Sequence, residues 1–271
     1  MIINNLKERL KHRKSVSDNV TYPNFCLEAS NNDQIFNTFR SNEVYQNILE
    51  HVDKQLSQKY FQLLISKYGY NEVEIFNEVA ALNNLGNPEL VKVSDKIPEL
   101  SGTALRYFYT GLEIKKFLDA NNIVPNKIIE LGCGYGGQSI FLNKILNVKE
   151  YTFVDLPEVN KLIEKFISNF DLGFSAEFKT INKSKFTKYD LFISNYSFSE
   201  LPRNLQKKAI KKIIKNSTSG FMIINSENFS NQYKFINKDE YKKLFNNYQI
   251  ENEEPQTSSK NVNYVYKFIN K

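Results

Sequence analysis

Lys127-Ile-Ile-Glu-Leu-Gly-Cys-Gly-Tyr-Gly-Gly137 is the stretch from which the rest of the chain can be placed. Ile128, Ile129 and Leu131 make a short apolar run of the kind that forms a strand buried on both faces. It runs directly into glycines at 132, 134, 136 and 137. Glycine takes positive φ without steric cost and carries no Cβ to obstruct a ligand. A helix is expected from about Gly137 to Ile145, so its free N–H groups and positive dipole end face the turn.

Two ligand classes compete for such a turn. Gly132, Gly134 and Gly137 fit the G-x-G-x-x-G dinucleotide fingerprint, and Asp155 lies at a suitable distance for a ribose contact. Glu130 tilts the choice. A carboxylate at the strand end gains little beside a pyrophosphate but much beside a ligand carrying an ammonium and a sulfonium. Here the sequence resembles the class I S-adenosylmethionine (SAM) methyltransferases, in which Glu-x-Gly-x-Gly-x-Gly holds the amino-acid end of the cofactor. The resemblance implies Glu130, Gly132, Cys133, Gly134 and Gly136 as cofactor-binding residues, with S-adenosylhomocysteine (SAH) as product.

With 271 residues, 41% hydrophobic and 24% charged, the chain can bury a full core and is not disordered throughout. It turns charged at once after Met1-Ile2-Ile3, with no apolar signal core, and no apolar run reaches membrane-spanning length. Cys26 and Cys133 are too few for a disulfide scaffold or a cysteine zinc site. A cytoplasmic location is expected. The net charge of +6 equals the six positive residues between Leu201 and Gly220, namely Arg203, Lys207, Lys208, Lys211, Lys212 and Lys215. Leu205, Ala209, Ile210, Ile213 and Ile214 form the apolar face of the same helix, so the lysines read as its solvated side. No nucleic-acid partner is expected from them, although salt-sensitive RNA binding would be the alternative.

Residues 1–125 read as a helical N-terminal region without strands, a cap for the acceptor and a possible dimerisation surface. The helical period runs from Asn42 to Lys67, with His51 beside the apolar stripe. Asn71 and Glu74 form a capping-box pattern, and a further helix is expected from about Ala104 to Ala120. After Pro125 strands and helices alternate, the mark of a parallel sheet with crossovers, so 126–271 is a Rossmann-like domain. Strands are expected at 127–131, 150–155, 176–181, 189–194, 220–226, 248–252 and 261–269. The last two are joined too closely for a crossover helix, so they form a hairpin and one runs antiparallel. The expected fold class is therefore α/β, a seven-stranded Rossmann-like class I methyltransferase sheet with its last strand antiparallel and a helical N-terminal cap.

Ligands of such sheets bind beyond the carboxyl ends of the strands. Asp155, 25 residues after Glu130, would hold the ribose hydroxyls, or else cap the helix at Pro157. Leu156 would pack on the adenine, and Asn182, at the end of the third strand, would meet its amino group or simply make a turn. The fourth strand ends in Asn195-Tyr196-Ser197, which lacks the prolines of the Asn-Pro-Pro-Tyr motif of base amino-group methylation. Asn195 falls on the cofactor side, and Tyr196 and Glu200 are candidate catalytic residues. Glu200 is the candidate general base, or an acid at a helix N-terminus. Glu227, after the fifth strand, is a second carboxylate near the same mouth, and the two glutamates would suit a divalent ion, a metal left undetermined.

Leu85-Gly-Asn-Pro88, Leu105-Arg-Tyr107, the glycine turn, Phe153-Val-Asp-Leu-Pro-Glu158 and Ser194-Asn-Tyr-Ser-Phe-Ser-Glu-Leu201 together resemble sugar O-methyltransferases encoded in bacterial polysaccharide clusters. The likeness spans roughly 85–227. It implies a sugar hydroxyl as acceptor, on a nucleotide-linked capsule intermediate, with Arg106 near the cofactor carboxylate or a substrate phosphate. A surface ion pair is the alternative role for Arg106. An ionised phosphoryl oxygen is the alternative acceptor, since it needs no base.

Overall fold

A computed structural model describes residues 20–182, 184–225, 238–260 and 262–270. Glu227 and His12 lie outside the described residues. Helices α1 (Thr21–Asn31), α2 (Asp33–Phe36), α3 (Glu43–Gln46), α4 (Lys54–Tyr68) and α5 (Glu72–Asn83) come first. Strands β1 (Leu90–Val91) and β2 (Leu100–Ser101) follow, and then the long helix α6 (Gly102–Ala120). The alternating part comprises β3 (Lys127–Leu131), α7 (Gly137–Ile145), β4 (Glu150–Val154), α8 (Pro157–Ile167), β5 (Ser175–Lys179), β6 (Tyr189–Asn195) and the one-turn α9 (Ser197–Glu200). It continues through α10 (Arg203–Lys212), β7 (Ser217–Ile224), α11 (Lys238–Lys242), β8 (Asn247–Asn252) and β9 (Tyr264–Ile269).

The seven long strands form one sheet in the order β5-β4-β3-β6-β7-β9-β8. Six strands run in one direction and β9 alone is reversed, pairing antiparallel with both β7 and β8, as the short hairpin connection required. Strand order reverses beside β3, between β4 and β6, so the glycine turn sits at the topological switch point where open sheets bind ligands. Because β8 is antiparallel to β9, its carboxyl end returns to the same edge as the ends of β3, β6 and β7.

Two expectations for the N-terminal region are corrected. The helix expected over Asn42–Lys67 is broken between Gln46 and Lys54. Asp53 is the reason: its backbone is extended and its Oδ1 accepts from Leu56 N at 2.7 Å, which starts a new helix. His51 therefore lies in the break, exposed, rather than on a helix. The region is also not free of strands, since β1 and β2 pair antiparallel over two residues each, too short to register in any periodicity. The capping box at Asn71 and Glu74 is present.

The cap and sheet share one apolar cluster running from Tyr22 through Phe39, Tyr45 and Phe108 to Phe141, Phe166 and Ile193. Arg40 is fully buried within it. Its guanidinium pairs with Glu50 at 2.5 Å, donates to Ser101 Oγ at 2.9 Å and lies 4.6 Å from the Tyr135 ring centroid. One side chain thus ties the broken-helix segment and the α6 cap to the glycine turn. No described helix is long and apolar enough to cross a membrane.

Candidate functional site

Within the turn Gly132, Gly134 and Gly136 have φ of 75°, 59° and 87°, a left-handed backbone that only glycine adopts at low cost. Their missing Cβ atoms also serve the protein's own packing. A Cβ on Gly132 would strike Ser197, and one on Gly134 would come within 2.8 Å of Leu49 Cδ2 and 3.0 Å of the Tyr107 hydroxyl. A Cβ on Gly136 would meet Ile167 at 2.9 Å.

Asp155 follows β4 and clamps the turn. Its Oδ2 accepts from Cys133 N at 2.9 Å and its Oδ1 from Leu156 N at 2.8 Å. Burial pushes its carboxyl up to about 6, against the pull of those two donors. It is not the helix cap: the N-cap of α8 is Leu156, which makes no side-chain cap. Cys133 presents only its backbone to the turn. Its thiol is buried against the Glu130 carbonyl at 3.2 Å, and burial raises it well above the usual thiol range.

Glu130 is 1% exposed, and its Oε2 accepts from the Tyr151 hydroxyl at 2.7 Å. Burial pushes it up to about 8, outweighing that hydrogen bond. It lines a narrow cavity together with Gly132, Asn195, Tyr196, Arg106 and Tyr107. Asn195 Oδ1, buried there, has no hydrogen-bond partner among the described residues. Arg106 is 6% exposed rather than at the surface, and its Nη2 donates to the Leu49 carbonyl at 3.2 Å. Among the described residues no carboxylate lies within ion-pair distance of it.

These groups fit the polar end of an amino-acid-bearing nucleoside. An unpaired guanidinium suits a carboxylate, an orphaned amide oxygen suits a donor, and Glu130 suits an ammonium once ionised. Asp155 stands at the next strand end, on the side of the turn toward β4 and β5.

Tyr196 carries a φ of 68°, a strained value for a residue with a side chain. Its N–H donates to Ile223 O at 2.8 Å and its hydroxyl donates to Glu253. Glu253 follows β8 and was missed by the sequence reasoning. A signal existed: the antiparallel hairpin returns the end of β8 to the ligand edge. Glu253 is held further by Thr257, whose N–H and hydroxyl donate to its Oε2 at 3.0 and 2.8 Å.

Beyond Tyr196 lies a second, small cavity, lined by Tyr60, Tyr109, Thr110, Phe221, Glu253 and Val265 among others. Thr110 belongs to both cavities, so α6 forms a wall of each.

Glu200 is not brought to either cavity. It is half-buried, its Oε1 accepts from Asn225 Nδ2 at 3.4 Å, and burial pushes it up to about 7. Leu156 is half-buried beside Asp155. Asn182 is exposed, because β5 stops at Lys179 rather than Ile181, and its Oδ1 accepts from Lys208 Nζ of α10 at 2.9 Å. Among the described residues no group of three or more His, Cys, Asp or Glu is placed to hold a metal ion.

A family model described as "Tellurite resistance protein TehB" matches residues 106–225, somewhat under half of the chain. No curated protein sequence matches the chain. Among solved structures, a SAM-dependent methyltransferase from Clostridium acetobutylicum is similar at 15% identity, covering 60% of this chain and 91% of that one, with a TM-score of 0.46. The N-methyltransferase NodS from Bradyrhizobium japonicum in complex with SAH is similar at 14% identity, covering 60% and 87%, with a TM-score of 0.45. Magnesium protoporphyrin IX methyltransferase from Synechocystis with bound SAM is similar at 13% identity, covering 84% and 97%, with a TM-score of 0.47. The family-model match begins at Arg106 and ends at Asn225, and so takes in the lining of the first cavity except Leu49, and leaves out Glu253.

Proposed function

We propose that the chain is a SAM-dependent methyltransferase that transfers a methyl group to a sugar hydroxyl of a surface-polysaccharide (capsule) intermediate. The observation that carries the cofactor is the first cavity. A left-handed glycine turn at the switch point opens on a buried, unpaired Arg106, an orphaned Asn195 oxygen and Glu130. When bound, SAM supplies an electrophilic methyl group on a cationic sulfur.

The residues of the chain align the acceptor and exclude water. The second cavity adjoins the first through Thr110 and supplies aromatic faces for a sugar ring and carboxylates for its hydroxyls. The cap covers this cavity from one side with Tyr60 and Tyr109. A hydroxyl nucleophile must lose its proton during transfer. The Tyr196 hydroxyl stands at the boundary of the two cavities and takes that proton as it passes its own to the Glu253 carboxylate, a relay for which Glu200 is not placed. The same carboxylates disfavour a phosphoryl group in this cavity, so a sugar free of phosphate there is favoured over the nucleotide-linked or phosphoryl acceptor.

The test is incubation of the purified chain with SAM and a panel of free, nucleotide-linked and phosphorylated sugars, read by a mass gain of one methyl group. SAH must also bind in calorimetry. Binding of a nicotinamide dinucleotide with no binding of SAM or SAH would refute the cofactor assignment. Methylation of phosphoryl compounds alone would refute the acceptor.

A further inference from the structure

Among the described residues, two buried charged side chains that flank Tyr196 have no opposite charge within ion-pair distance. Arg106 is one. Glu253, 5% exposed, is the other: among the described residues no lysine or arginine lies within ion-pair distance of it. The Arg106 guanidinium carbon is 5.7 Å from the Tyr196 ring centroid, and the hydroxyl of that ring donates to Glu253. Each of the neighbouring carboxylates, by contrast, reaches a lysine. Glu113 and Glu254 share Lys67 at 2.6 and 2.9 Å, and Glu251 takes Lys267 at 2.5 Å. Glu253 has hydroxyl and amide donors only.

Resting on the SAM reading above, we infer that Glu253, acting through the Tyr196 hydroxyl, makes the site favour the cationic sulfonium cofactor over the neutral thioether product. A ligand filling the first cavity meets Tyr196, which lines it together with Gly132 and Asn195. An aromatic face attracts a cation, and a phenol whose proton is drawn toward a carboxylate turns more negative charge to its surroundings.

Arg106, in the same cavity, repels a second positive charge, and an uncompensated carboxylate one side chain away offsets that repulsion. Glu130 does not fill this role in the empty site at neutral pH, since burial holds it protonated up to about 8. The left-handed backbone of Tyr196 is strain retained at the residue that aims this hydroxyl, which fits a functional rather than a packing constraint. After transfer the sulfur is neutral and the attraction is gone, so product leaves more readily than cofactor. Glu253 is thus a positioning residue that discriminates between two ligands differing by one methyl and one charge.

The experiment is calorimetric titration of SAM and of SAH into the full chain and into Glu253→Gln, Glu253→Asp and Tyr196→Phe at one pH, with melting temperatures as the fold control. Expected is a preference for SAM in the unaltered chain. Glu253→Gln should weaken SAM by about tenfold while SAH stays within about twofold, and Glu253→Asp should restore most of the preference. An unchanged SAM-to-SAH ratio in Glu253→Gln, or a parallel loss of both ligands, overturns the inference. Should that variant fail to fold, an unchanged ratio in Tyr196→Phe does the same. Failure of the unaltered, folded chain to bind either ligand removes the cofactor assignment itself, and the discrimination with it.

Discussion

On the proposed SAM reading, Glu130 makes ligand binding a proton-coupled event. Burial raises its carboxyl to about 8 in the empty protein. A ligand ammonium demands the ionised form. At pH 6 the acid outnumbers the carboxylate roughly hundredfold, so ionising it costs about 3 kcal/mol. Affinity for SAH should therefore rise roughly hundredfold from pH 6 to just above pH 8, with release of close to one proton per ligand at the acid end. Asp155, raised to about 6, adds about a further factor of two near pH 6.

Stability of the empty protein runs the other way. A group whose folded pKa lies above its unfolded value of 4.5 contributes fully below 4.5, and the contribution is lost as pH rises through about 8. The loss is about 1.4 kcal/mol per unit over that window. The empty protein is therefore most stable where it binds worst. Calorimetry in two buffers of different ionisation enthalpy counts the protons, and thermal melts follow the stability. Glu130→Gln should flatten both profiles. An affinity independent of pH between 6 and 8, or proton uptake on binding, would refute the reasoning.

Asp155→Ala removes both acceptors that fix Cys133 N and Leu156 N, and SAH binding should fall beyond calorimetric detection while the far-ultraviolet circular dichroism is retained. Arg106→Ala leaves the first cavity without its cation and should weaken SAH by about 2 kcal/mol, whereas a decarboxylated SAH analogue should lose little. Arg40→Ala strands the buried Glu50 carboxylate and the Ser101 cap, and chemical denaturation should show a loss of about 3–5 kcal/mol. Arg40→Met with Glu50→Gln should recover part of it.

Strands were the most legible elements because apolar runs bounded by polar turns mark a sheet covered on both faces. Ile128, Ile129, Leu191, Phe192 and Ile193 are all fully buried, and β3 ends where expected. The break before Asp53 was not legible from periodicity, because Tyr45, Val52 and Leu64 remain buried on either side of it. Arg40 was invisible for a different reason: an isolated arginine in a polar stretch reads as surface unless its partners, at Glu50, Ser101 and Tyr135, are brought to it by the fold. Asn182 was misplaced by a strand that ends two residues early, which leaves its amide to a lysine of α10.

The site is assembled from parts with different histories in the chain. Turn, Asp155 and Asn195 come from the switch point of the sheet, which positions similar groups for any nucleoside bound there. What distinguishes this cavity comes from outside that core: Leu49 from the broken-helix segment, Arg106, Tyr107 and Thr110 from one face of α6, and Glu253 from the C-terminal hairpin. Because Arg106 is held by the Leu49 carbonyl and Tyr196 by Glu253, loosening either remote segment changes the charge presented to the ligand before it changes the turn. Thr257→Val, outside the glycine motif and without the hydroxyl that holds Glu253, should therefore alter the choice between SAM and SAH more than it alters the fold.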